Sequence, residues 1–218
     1  MNKDSTTLNM REVFNEILIK LNELELEFQE NKGIILTEYD LQCLLFRKLY
    51  DLFSHNEATF NPQIKGSPLH TEITFFDENG KLNYKPDITI IRTENYSIVH
   101  SITEKIPFKN NGTDQYENTP SKGFAFCGDA IIIELKFCHA KNGIIKIDSF
   151  KYDWKKIKKI KELVERGNNR IYGIVAIFNR TNKISENCRE LLDELDNLNT
   201  DIRVKYYTGN YESVNNNL

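Results

Sequence analysis

No stretch of this 218-residue chain is apolar for long enough to span a bilayer, which takes about 20 consecutive residues in a helix. The opening segment, Met1 to Arg11, is polar and holds none of the apolar core of a secretory leader. The four cysteines, Cys43, Cys127, Cys138 and Cys188, form no C-x-x-C pair, so neither a zinc nor an iron–sulfur site finds the spacing it needs. Reduced thiols and a cytoplasmic location are the expectation that follows. There is no internal repeat. Positive charge is not in excess either: the net charge is −3. That total is an average over unlike segments. From Met1 to Phe60 acids outnumber bases 11 to 6, whereas from Lys146 to Arg170 bases outnumber acids 9 to 4. A protein that grips a phosphate backbone needs local positive potential, not a positive total.

What is present suffices for one ordinary domain. Apolar residues make up 39% of the chain and there are 13 Phe, enough for a substantial core. Met10, Phe14, Ile17, Leu21, Leu24 and Phe28 recur four and three apart, a heptad seam that predicts a helix from about Ser5 to Glu30. The seam suits an amphipathic arm lying on the domain; its other use is a homodimer contact. Thr37 and Asp40 have capping-box spacing and predict a second helix ending near Phe53, with Leu41, Leu44, Leu45, Leu49 and Leu52 facing inward. Strands are expected at Leu69 to Phe76, Leu82 to Arg92, Ala130 to Phe137, Ile171 to Phe178 and Ile202 to Tyr207. A third helix is expected from about Ser149 to Arg166, capped by Asp148, stopped by Gly167 and buried along Phe150, Trp154, Ile157, Ile160 and Val164. Ser185 caps a fourth, reaching about Leu198. The fold class is α/β, a mixed sheet flanked by helices. The organisation expected is a helical arm over residues 1–33, a domain over 34–210 with an insertion at about 93–128, and a flexible tail at 211–218. The insertion is read as a substrate-contacting flap.

Two segments carry the chemistry. Tyr84-Lys85-Pro86-Asp87-Ile88-Thr89-Ile90-Ile91 and Asp129-Ala130-Ile131-Ile132-Ile133-Glu134-Leu135-Lys136-Phe137 each put charge into an apolar strand, where an unpaired charge is costly. Strand side chains alternate, so Glu134 and Lys136 share a face while Ile131, Ile133, Leu135 and Phe137 share the other. Glu-x-Lys alone carries no weight, and neither does Pro-Asp; an exposed Glu134–Lys136 pair on an edge strand with Pro86-Asp87 in a turn is the plain alternative. The run Ile131-Ile132-Ile133 argues against exposure.

In their order and setting these segments resemble the PD-(D/E)XK nuclease superfamily, whose core runs helix, three strands, helix, strand. The resemblance covers about residues 36–178 and rests on pattern and a few residues. It implies a restriction-endonuclease-like fold and a Mg2+-dependent nuclease, with Mn2+ as substitute, hydrolysing phosphodiester bonds of DNA. Asp87, Glu134 and Lys136 would be catalytic. Asp87, Glu134 and the backbone carbonyl of Leu135 would hold the metal, with Glu38 from the preceding helix as a second-tier ligand and Gln42, one turn on, weaker still. Lys136 would hold or deprotonate the attacking water, or stabilise the phosphate. His70, Glu72 and Asp129 have ordinary strand-face or turn roles as the preferred reading. The third helix carries Lys151, Lys155, Lys156 and Lys159, which either form a solvated face or bind backbone phosphates without reading sequence. Restriction, phage defence or a mobile element is the setting suggested by analogy. The rival readings are a non-catalytic nucleic-acid-binding or assembly subunit on the same fold, and a protein-interaction module built on the heptad arm.

Overall fold

The first helix starts where its cap dictates. The computed structural model describes residues 9–77, 79, 81–98, 124–126, 128–139, 147–165 and 169–210. In it α1 spans Met10–Glu30, and Asn9 and Glu12 exchange backbone and side-chain hydrogen bonds in a capping box. All six residues of the heptad seam are buried. They join Leu41, Leu45 and Leu49 and the Ile131, Ile133 and Leu135 side of the sheet in one apolar cluster. The dimer contact expected through this seam is therefore corrected: the seam is consumed inside the monomer, because the sheet needs a cover on that face.

α2 spans Glu38–Tyr50, with the box expected of Thr37 and Asp40. The helix stops short of Phe53; the chain tightens into a turn in which the Leu52 and Phe53 amides donate three residues back, to the carbonyls of Leu49 and Tyr50. A small hairpin follows, β1 (Glu57–Ala58) with β2 (Lys65–Gly66). The two long strands expected next are each cut in two. The first becomes β3 (Leu69–Thr71) and β4 (Phe75–Phe76); the second becomes β5 (Leu82–Tyr84) and β6 (Ile88–Ile91). The breaks have local causes. Glu72 lies at φ +55°, a left-handed conformation that ends an extended run, and Pro86 has no N–H to give a ladder. The outer halves β4 and β5 pair separately, while β3 and β6 stay in the main sheet.

A 3-10 turn at Thr93–Asn95 leads to β7 (Tyr96–Ile98), which pairs with β8 (Phe124–Phe126). Most of the insertion expected to form a flap, the stop at Gly167 and the tail lie outside the described residues. Then come β9 (Ala130–Cys138), α3 (Ile147–Val164), β10 (Ile171–Asn179), α4 (Glu186–Leu198) and β11 (Ile202–Thr208). α3 already includes Ile147, so Asp148 stands in its first turn and is not its cap.

The main sheet has five strands in the order β11-β10-β9-β6-β3. β9, β10 and β11 are parallel, whereas β6 runs antiparallel to β9 and β3 antiparallel to β6. α1 and α2 cover one face; α3 and α4 cover the other with Phe150, Ile157, Ile160, Leu192 and Leu195. All nine residues of β10 are buried, as a strand covered on both faces requires. Among the described residues no helix is long and apolar enough to cross a membrane.

Candidate active site

The site begins with a difference in strand length. β6 starts at Ile88, opposite Ile133, but β9 runs on to Cys138 beside β10. Among the described residues no strand pairs with the last five residues of β9 on its β6 side. Two N–H groups face that gap, and carboxylates take both. The Leu135 amide donates to Oδ2 of Asp87 at 2.6 Å, and the Phe137 amide donates to Oε2 of Glu38 at 3.2 Å. In an extended strand a residue's N–H and C=O leave on the same side, so the Leu135 carbonyl opens into the gap too. Asp87 is fixed from behind: its backbone carbonyl accepts from Nε2 of Gln42 at 2.7 Å and from the Glu72 amide at 3.1 Å.

Glu134 and Lys136 project from β9 toward α3, as their shared face predicts. Nζ of Lys136 lies 3.3 Å from Oε1 of Glu38 and 3.4 Å from Oδ2 of Asp153. Nζ of Lys156 lies 2.7 Å from Oε1 of Glu134 and 3.7 Å from Oδ1 of Asp153. The contact with Glu134 is a close ion pair. Lys156 also donates to the Lys85 carbonyl at 3.3 Å.

Six side chains thus form one ionic cluster: Glu38, Asp87, Glu134 and Asp153 against Lys136 and Lys156. Fully ionised, four carboxylates and two ammoniums leave −2 (−4 + 2). The titration behaviour reflects this surplus in a buried place. Burial pushes Glu134 up to about 8, with the charges of Asp87 and Asp153 adding to the shift and Lys156 opposing it. Asp87 is raised by burial, against the Leu135 amide and Lys136. Asp153 is raised by burial, against both lysines. Burial pulls Lys136 down, but Asp153, Glu38 and Asp87 outweigh it, and its net shift is upward.

The donor set suits one class of metal. Among the described residues no three carboxylate, imidazole or thiol groups gather into a metal cage, which excludes a closed zinc-type site there. The buried carboxylate of Glu134, the half-buried one of Asp87 and the Leu135 carbonyl make an all-oxygen set. Magnesium takes one or two carboxylates and leaves its other positions to water and phosphate, so these residues fit it. Glu38 has both oxygens engaged, one by Lys136 and one by the Phe137 amide, and so positions the lysine and caps the strand edge.

Of the expected phosphate-binding lysines, Lys155 and Lys159 lie exposed on α3 and Lys151 is half-buried; Lys159 pairs with Glu162 at 3.4 Å. Lys156 departs from the solvated face: its side chain is 11% exposed and belongs to the acid cluster. His70 lies edge-on to Tyr96, Glu72 pairs with Lys85 at 3.2 Å, and Asp129 accepts from the Arg170 amide at 2.7 Å; none of the three joins the cluster's ion pairs. Asp153 is the residue that sequence reasoning undervalued. Its signal was positional: it sits three after Phe150 and four before Ile157, on the buried stripe itself, where an acid needs a partner. No family model, curated protein or solved structure matches this chain.

Proposed function

We propose that this protein is a divalent-metal-dependent nuclease of the PD-(D/E)XK superfamily, with a restriction-endonuclease-like fold, that hydrolyses phosphodiester bonds of DNA. The observation that carries this reading is Asp87, held at the gap beside β9 by the Leu135 amide and close enough to Glu134 and Lys136 to interact with their charges. The order α2, β3, β6, β9, α3, β10 supports it as well, since it follows the superfamily's helix, three strands, helix and strand.

Asp87, Glu134 and the Leu135 carbonyl are the groups that would hold Mg2+ or Mn2+. Such an ion, when bound, supplies a Lewis acid and a template for water and phosphate. Lys136 does the complementary work. The acids around it keep it protonated, so it acts as a cation and hydrogen-bond donor toward the phosphate and the attacking water, not as a base. Glu38 and Asp153 hold its ammonium from two sides, and Gln42 fixes the backbone of Asp87. Lys151, Lys155 and Lys159 supply sequence-independent attraction for the nucleic-acid backbone.

The test is incubation with DNA and RNA substrates in Mg2+ or Mn2+. DNA cleavage is expected, lost on chelation and reduced at least about 100-fold by Asp87→Ala, Glu134→Ala or Lys136→Ala. One observation favours a second reading, a non-catalytic nucleic-acid-binding subunit: Asp87, Glu134 and Glu38 each already have a donor or cation within the chain. Nucleic-acid binding without cleavage in any divalent metal would select that reading.

A further inference from the structure

Lys156 is out of place for a helix-surface lysine. Of the five others on α3, Lys155, Lys158 and Lys159 are exposed and Lys151 is half-buried, while Lys161, as enclosed as Lys156, pairs with Glu165 and Asp201 away from the site. Lys156 instead reaches inward. Its side chain is 11% exposed, and the Glu134 carboxylate it meets is 2% exposed. Its ammonium also has Asp153 at 3.7 Å and the Lys85 carbonyl at 3.3 Å. Burying this long side chain carries an entropic cost, and the ammonium gives up much of its hydration. The return is positive charge placed beside Oε1 of Glu134, on a carboxylate that a divalent cation would need.

We propose that Lys156 is the resident counter-ion of this site, competing with the divalent cation for Glu134 and setting the cation concentration at which the site loads. This inference rests on the metal-binding reading given above. The geometry supplies the means of exchange. A cation arriving between Asp87 and Glu134 repels the ammonium. Asp153 and the Lys85 carbonyl remain to receive it, so the lysine shifts without leaving the cluster. Once fully ionised, the cluster of four acids and two lysines is short by the charge of one divalent ion. Removing Lys156 uncovers Glu134 and deepens the deficit, and both changes favour the cation.

Mn2+ binding to the full chain without nucleic acid, followed by electron paramagnetic resonance, tests this apart from catalysis. Lys156→Met is expected to bind Mn2+ at least tenfold more tightly than the wild type. Lys156→Gln serves in the same role should the methionine variant fail to fold. Lys158→Met, which removes an exposed lysine of the same helix, is the control and leaves the affinity unchanged. The inference is overturned if the wild type binds Mn2+ and neither Lys156 variant tightens it, or if Lys158→Met tightens it equally, which would reduce the effect to bulk charge. If no form binds Mn2+ at millimolar concentration, the metal-binding reading fails and takes this inference with it.

Discussion

Glu134 sits where the fold favours its neutral form. Its folded value of about 8 lies above the ordinary glutamate value of 4.5, so the native state holds the proton more tightly than the unfolded chain. The stability this confers is complete below about pH 4.5 and is lost as pH rises toward 8. Without divalent cation, the wild-type melting temperature should fall across that window. Glu134→Gln should flatten the fall and stabilise the protein at pH 8 by on the order of 2 kcal/mol, about 4–8 °C for a chain of this size. Thermal melts of both forms against pH would show it, and parallel curves would contradict it. The same substitution should abolish cation binding. A residue that weakens the fold while serving the chemistry is a familiar arrangement at active sites. Asp153 belongs to the same balance, because it holds both lysines in place.

At the scale of elements, the packing of α3 on the sheet depends on Gly173 in β10. A Cβ at that position would strike Cγ2 of Ile157, which is fully buried. Gly173→Ala should therefore cost about 1–3 kcal/mol through overpacking, measured by urea denaturation; an unchanged midpoint would show that the helix can move away freely. α1 gives a second expectation. Its seam covers one face of the sheet, so deleting residues 1–33 should yield an insoluble or unfolded chain, whereas a folded, soluble remainder would restore the separate arm. Much of this level was legible in the sequence. Repeating apolar positions marked the first three helices, Thr37 and Ser185 marked the starts of the second and fourth, and apolar runs marked β9 and β10. The break in the first of the two strands before them was not legible, because no residue type announces the left-handed turn at Glu72, whereas Pro86 was a readable sign of the break in the second. The reach of Lys156 toward Glu134 was hidden for a similar reason: a lysine on a basic helix reads as solvated until Glu134 of β9 is known to lie beneath it. Asp87, Glu134 and Lys136 stood out because charge in an apolar strand is rare.

For the molecule as a whole, the proposed function requires an acidic chain to attract an acidic polymer. The exposed and half-exposed lysines of α3 would supply the attraction locally, with its range set by ionic strength. If Lys151, Lys155 and Lys159 contact phosphates, replacing all three by Ala should weaken DNA binding and reduce the slope of log K against log salt by up to roughly 3, at about 0.9 per contact. An unchanged slope would move the binding surface elsewhere. The site itself lies at the carboxyl ends of the parallel strands β9 and β10, the usual position for chemistry in an open α/β sheet. The most direct measurement is the anomalous diffraction of a crystal soaked in Mn2+. One peak should lie between Asp87 and Glu134, about 2.0–2.3 Å from an oxygen of each, with the Lys156 ammonium displaced from Glu134. A crystal that takes up Mn2+ elsewhere, or not at all, with Lys156 still seated on Glu134, would contradict it.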